Sequence, residues 1–309
     1  MSDETSAKTS EVRANLDLIG MGAAILGAAL FSTKPVIIKL IYDEGVPPET
    51  MLLYRMLIAL PFYLIIGTIA FKKRPRTATP PSNKLLLAII ANGVLGYYLA
   101  SYLDFLGLQY ITAQFERLIL FTYPFFVVIL GAMFFGQKLK PLTFPALIVA
   151  YLGLALIFWR NASLAGSDDA ILGAILVLGA ALSFSLFQLF GKQLIGQIGA
   201  PIYTSIAMSA AAFGVMIHFA IAMPWSALAI PMPVFWLCAV MALLATVAPS
   251  YLLNFALGRI GADGTAMVGN AGPLFTIVFA ALLLGEPFGL IDAIGTGLVL
   301  AGMILFSRR

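Results

Sequence analysis

Ten stretches of this chain run for about twenty residues each with almost no charge, a length and character that match the hydrocarbon thickness of a bilayer. They lie near 17 to 41, 49 to 71, 84 to 108, 112 to 135, 141 to 159, 170 to 191, 201 to 223, 232 to 257, 264 to 284 and 288 to 306. Lipid offers no hydrogen bond to an open backbone, so only helices and closed barrels cross it. A barrel strand uses about ten residues of alternating polarity. These runs are continuous and twice as long, which predicts an all-α membrane protein with ten transmembrane helices. Composition agrees: 61% of the 309 residues are hydrophobic and 10% charged, against about 25% charged in a soluble domain. Ten crossings leave only short connectors and a polar tail over residues 1–16.

The formal charge of +4 is not a nucleic-acid footprint, because the cations sit between spans. Lys and Arg gather in alternate connectors, thirteen on one side, from Lys8 and Arg13 through Lys72–Arg76 to Arg308 and Arg309. The other side has Lys39 and Arg160. This imbalance places both termini in the cytoplasm. Cys238 is single, so it forms no intrachain disulfide, and one cysteine with one histidine, His218, cannot assemble a zinc site. The glycine runs Gly20–Gly22 and Gly295–Gly297 lack the strand, turn and Lys-Ser or Lys-Thr spacing of a phosphate loop and read as helix packing. No cofactor is expected.

The chain also repeats itself. At an offset of 153, Gly20, Phe31, Ser32, Lys39 and Pro48 meet Gly173, Phe184, Ser185, Lys192 and Pro201. At an offset of 149, Ala113, Pro124, Phe126, Gly136 and Gly153 meet Ala262, Pro273, Phe275, Gly285 and Gly302. The repeats span 17–159 and 170–307, joined by a connector at 160–169. Five helices is an odd number, so the second repeat is expected to enter the membrane from the opposite face. Inverted repeats are the architecture of many secondary transporters, with the site at the repeat interface.

Several motifs in order carry a family likeness: Phe31-Ser32 with Lys39, then Val46-Pro47-Pro48 leading to Arg55. Later come Phe255-Ala256-Leu257 with Arg259-Ile260-Gly261-Ala262, Pro273, and Leu284-Gly285-Glu286-Pro287. From about Ala28 to Leu305 the chain resembles ten-helix members of the drug/metabolite transporter superfamily with two EamA-type repeats. The resemblance implies export of amino acids or other metabolites across a bacterial inner membrane, with aromatic amino acid exporters of the YddG type as the nearest subgroup. Three departures stand out: Phe31 where the family often has Trp, Gly272 where it often has Glu, and Gln137 where Glu286 keeps the acid. These losses weigh against a simple carboxylate-driven proton coupling.

Ionisable groups within spans cost about 2.5–3.5 kcal/mol each on insertion scales, so each calls for a partner or a wet cavity. Arg55, Asp104, Glu116 and Arg117 are expected to meet in the outer third of spans 2 to 4, as a selecting vestibule or as a structural ion-pair network. Lys34 lies deeper, before Pro35, and either faces a substrate carboxylate or satisfies neighbouring carbonyls. Candidate lining residues are Phe31, Ser32, Tyr97, Tyr98, Ser101, Tyr123, Phe184, Gln188, Tyr251, Asn254 and Asn270. Their polar atoms read either as substrate contacts or as helix-to-helix hydrogen bonds. Pro35, Pro124, Pro249 and Pro273 are the candidate hinges, with static kinks as the alternative. His218 reads as packing rather than as a proton relay.

The sequence thus predicts a metabolite exporter, most readily of amino acids with an aromatic preference, working by alternating access. A drug, sugar-nucleotide or other metabolite carrier is the alternative within transport, and a membrane-embedded enzyme or receptor the alternative outside it. The expected partners are a small-molecule substrate and membrane lipids, without nucleic acid, and a monomer is an acceptable unit.

Overall fold

The computed structural model describes residues 18–75, 80–136, 141–165, 167–253, 255–256 and 271–307, and among them there is no β-strand. Among the described residues, eight helical segments are long and apolar enough to cross a membrane. They are span 1 (Leu18–Tyr42), span 2 (Pro48–Lys72), span 3 (Asn83–Leu108), span 4 (Ala113–Phe134), span 5 (Thr143–Arg160), span 6 (Asp168–Ile198), span 7 (Ala200–Ala222) and span 8 (Met232–Leu253). Two shorter apolar helices, span 9 (Gly272–Leu283) and span 10 (Leu290–Leu305), complete the ten of an all-α membrane protein. Residues 264–270, expected at the start of span 9, lie outside the described residues. The helix of span 5 continues to Ala165, into the stretch expected as a connector, and span 6 runs past 191 to Ile198.

Large apolar side chains face outward along the spans, with Ile221 81% and Leu282 76% exposed. In water each would forfeit about 1.5–3 kcal/mol of burial, so lipid is the phase that accommodates them. Between helices, small residues replace large ones because apolar burial does not drive association inside a bilayer and close packing must.

That packing is duplicated across the two halves. Span 2 lies against its repeat mate, span 7, and span 5 against its mate, span 10. Span 6 packs on spans 3 and 4, as span 1 packs on spans 8 and 9. Atoms repeat as well. A Cβ on Gly302 would fall 2.7 Å from the Ala146 carbonyl, and one on Gly153 would strike the carbonyl of Gly295, the residue 149 positions after Ala146. The Ser32 hydroxyl lies 2.7 Å from the Ala28 carbonyl and 2.9 Å from that of Gly272. Its mate Ser185 lies 2.6 Å from the Ala181 carbonyl and 2.9 Å from that of Tyr123. In each half a serine thus ties one helix to the residue before a proline of another.

Some interruptions of the helices are also paired, though the break in span 1 has no counterpart in span 6, whose helix runs unbroken over Ser167–Ile198. Span 1 breaks at Thr33 ahead of Lys34-Pro35, span 4 at Phe121-Thr122 ahead of Tyr123-Pro124, and span 9 starts at Gly272-Pro273. Each proline stands in a first helical turn, where its missing N–H leaves no bond unmade. Spans 3 and 8 each contain a π-helical turn, Val94–Leu99 and Leu243–Val247, starting 149 residues apart. Pro249 follows the second, while no proline follows the first within span 3, so proline is not the common cause of the wide turn. Side chains take up the loosened carbonyls instead: Ser183 donates to Leu95 at 2.8 Å and Thr246 to Met241 at 3.0 Å. Left-handed glycines, Gly136 and Gly285, both at φ +64°, follow spans 4 and 9.

Candidate functional site

The two π turns face one another across a cavity of about 120 Å³. Gly96, Tyr97, Ala100, Ser101 and Asp104 line it from span 3, and Ala245, Thr246 and Ser250 from span 8. Span 1 adds Phe31 and Lys34, span 2 Arg55, span 4 Arg117, Leu120, Phe121 and Tyr123, span 6 Phe184, and span 7 Met208. A larger hollow of about 760 Å³ between spans 2, 3 and 7 is an apolar groove on the outer face, lined by Leu64, Phe71, Phe213 and Ile217. All four are exposed, so the groove faces lipid. The smaller cavity is the candidate site because it gathers the buried charges.

Lys34 Nζ donates to Asp104 Oδ2 at 2.6 Å, with both side chains almost wholly buried. Desolvation consumes most of the attraction in such a pair, so its presence argues for a role other than stability. The arginines are held by rings. The Arg55 guanidinium lies 4.9 Å from the Phe105 ring centre, and that of Arg117 lies 5.0 Å from Phe31 and 5.1 Å from Phe121. Aromatic faces attract a cation without consuming its N–H groups. Arg55 Nε, Arg117 Nε and Asp104 Oδ1 are buried without hydrogen-bond partners. Tyr97, Tyr123, Phe31 and Phe184 also line the cavity, and the Tyr123 ring meets that of Phe184 edge-on. The cavity thus combines two guanidinium groups, a lysine–aspartate pair and aromatic walls.

Span 4 enters the site under control of the other half. The Glu286 carboxylate accepts from the amides of Ala113 at 2.8 Å and Gln114 at 3.2 Å, filling the open N-terminus of the helix that carries Glu116 and Arg117. Burial pushes the Glu286 carboxyl above its ordinary range, while those two amides and Lys39 pull it back.

Of the residues expected at a site, Phe31, Lys34, Arg55, Tyr97, Ser101, Asp104, Arg117, Tyr123 and Phe184 line this cavity. Ser32 is buried behind it, 3.5 Å from Arg117 Nη2. Tyr98 does not line it: its ring stacks on Tyr102 and meets His218. Gln188 is exposed on the other face of span 6, and Tyr251 stacks on Tyr63. Glu116 is fully buried but stands off the cavity wall. Asn254 and Asn270 lie outside the described residues. Sequence reasoning missed Gly96, Ala100, Leu120, Phe121, Met208, Ala245, Thr246 and Ser250 as lining residues. The repeat offset could have found two of them, since the expected residues Tyr97 and Ser101 plus 149 give Thr246 and Ser250. It did not foresee Asp104 as the partner of Lys34, because the two lie 70 residues apart.

A helical bundle enclosing a small, charged and aromatic cavity inside the membrane is the construction of a transporter. The chain belongs to the EamA-like transporter family, whose pattern matches residues 18–159 and 171–308. It is 33% identical over 289 residues to the uncharacterized transporter YcbK of Bacillus subtilis, covering 90% of each chain. It is 25% identical to a probable amino-acid metabolite efflux pump of Escherichia coli, over 62% of this chain and 67% of that one. A solved crystal structure superposes with a TM-score of 0.61 at 17% identity, over 94% of this chain and 95% of the other, and shares the fold.

Proposed function

We propose that this transporter exports amino acids or closely related metabolites, with a preference for aromatic side chains, from a bacterial cytoplasm across the inner membrane. The carrying observation is the cavity itself. Arg55 and Arg117 offer unpartnered N–H groups to a carboxylate, Asp104 offers a free oxygen to an ammonium, and Phe31, Tyr97, Tyr123 and Phe184 wall the apolar body. The likeness to a probable amino-acid metabolite efflux pump supports the substrate class.

In this reading the halves 17–159 and 170–307, joined at 160–169, lie inverted in the membrane with both termini cytoplasmic. They exchange conformations around the cavity, so that it opens to one side at a time. The breaks ahead of Pro35, Pro124 and Pro273 and the π turn ahead of Pro249 are the points that bend. The matched breaks at Pro124 and Pro273 and the matched π turns support this, because a swap of roles needs equivalent joints; Pro35 stands without a counterpart, since Gln188 takes its place in an unbroken helix.

The test is flux into proteoliposomes holding the purified protein, with a panel of amino acids led by L-phenylalanine. Uptake of aromatic amino acids, competed by aliphatic ones only weakly, is the expected outcome; equilibration of none of the panel removes the reading. A second reading, an organic anion without an amine, is favoured by one feature: Lys34, Arg55 and Arg117 outnumber Asp104 on the wall.

A further inference from the structure

The 760 Å³ groove on the lipid-facing side takes no part in the cavity described above, and it is not uniform along its length. Its floor is built of small residues, Gly67 on span 2 and Ser205, Ser209, Ala210 and Gly214 on span 7. A Cβ on Gly67 would fall 2.6 Å from that of Ser205, so the two helices approach there as closely as only a glycine permits. Leu64 and Phe71 rise from span 2 and Phe213 and Ile217 from span 7, all of them exposed. Span 2 belongs to the first repeat and span 7 to the second, so this trough follows the seam between the halves.

Charge is confined to one end of it. The Thr68 hydroxyl is taken up by the Leu64 carbonyl at 2.7 Å, and among the described residues Lys72 is the single charged member of the wall. Lys73 follows at the end of the helix, and both lysines are exposed. The Arg74 guanidinium lies 5.9 Å from the ring centre of Phe71, a wall residue, which holds a third cation at the same end. From Lys72 to Tyr63 the lining of span 2 covers about 13.5 Å of helix, and from Ile202 to Ile217 that of span 7 covers about 22 Å. One leaflet is about 15 Å, half the hydrocarbon thickness. The trough therefore starts beside three cations at the end of a span and reaches through a leaflet.

We propose that this groove binds one anionic phospholipid, with an acyl chain laid along the seam and the phosphate against Lys72, Lys73 and Arg74. The match is one of order as well as chemistry: an apolar chain ending in a negative head meets an apolar trough ending in a positive mouth. Basic residues at the end of a span draw anionic lipid, at about fivefold in affinity per charge, and the trough gives the chain a place to lodge that a smooth helix face lacks. A second copy of the protein fits worse. Two copies inserted the same way would bring their Lys72–Arg74 segments to the same depth, where like charges repel. A lipid seated here touches both halves and so stabilises the arrangement in which the trough exists. The site is independent of which solute the inner cavity carries.

Native mass spectrometry of the purified, delipidated protein tests the site, with phosphatidylglycerol and phosphatidylcholine of the same acyl chains as probes. The wild type is expected to hold one phosphatidylglycerol roughly 10- to 30-fold more tightly than phosphatidylcholine, and to gain thermal stability from it. Lys72→Gln combined with Lys73→Gln is expected to remove that preference. Ala210→Phe puts a ring into the trough and keeps every cation, and is expected to weaken the binding of both lipids. Equal binding of the two lipids by the wild type, a measurement that needs no variant, overturns the proposal, as does a preference that survives the loss of both lysines. Phosphatidylglycerol binding untouched by Ala210→Phe assigns the lipid to the basic surface alone and overturns the groove.

Discussion

The two halves of the cavity share their backbone and differ in their charge. Phe31 and Phe184 stand at equivalent positions, as do Gly96 and Ala245, and Ser101 and Ser250, and all six line the cavity. The wide turns of spans 3 and 8 begin at equivalent residues, and Ser32 and Ser185 make equivalent bonds. Yet Lys34, Arg55 and Asp104 in the first half meet Phe187, Met208 and Leu253 in the second. Duplication supplies two matching walls that can move alike; divergence supplies the chemistry, and here it is concentrated on one wall. In the transport cycle proposed above, a solute held by one half and enclosed by the other would keep its polar contacts while the enclosing half changes position.

The largest effect comes from making the charged wall half apolar. Asp104→Leu leaves Lys34 buried without a partner and is expected to cost about 3–5 kcal/mol, seen as lost thermal stability in detergent. Adding Lys34→Phe copies the second half completely at this pair, and should recover most of that stability while transport stays absent. A double variant no more stable than the single would show that the ion pair itself holds the fold.

Arg55→Met copies its counterpart Met208. It removes a cationic donor to the substrate carboxylate and should weaken apparent affinity by about 1.5–3 kcal/mol, roughly 10- to 100-fold in KM. An unchanged KM would move the carboxylate contact to Arg117 alone. Next, Gly153→Val and Gly302→Val each force a side chain onto a neighbouring backbone and should lose about 1–3 kcal/mol of thermal stability, by similar amounts. Clearly unequal losses would confine the equivalence of the halves to the cavity. The smallest effect belongs to Tyr98→Leu, which gives up a ring contact with Tyr102 and His218 of about 0.5–1.5 kcal/mol in stability and should leave substrate affinity where it was.

Much of the cavity lining was legible in the sequence, for a specific reason. Charge is so costly in hydrocarbon that Arg55, Asp104 and Arg117 could be picked out from composition alone, and all three line one cavity. Tyrosines were harder. Tyr97 and Tyr98 are adjacent and chemically identical, but successive residues on a helix point about 100° apart, so one lines the cavity and the other stacks outside it. Gln188 lies off the cavity for the same reason: a lone amide on an apolar helix does not announce its face. The π turns left no mark that the residues could show, since Val94–Leu99 contains no proline and reads like the rest of its span.

The one-dimensional pattern determined the solvent, the helical class, the tenfold crossing and the duplication, because run length against bilayer thickness and residue register are properties of the chain before it folds. Only the tertiary structure decided the rotation of each helix about its axis. In a membrane both faces of a helix are apolar, so no contrast between an oily and a wet side fixes that angle and neighbouring side chains must. Lys34 therefore found Asp104, and Glu116 was set behind the wall rather than on it, through packing that no local stretch encodes.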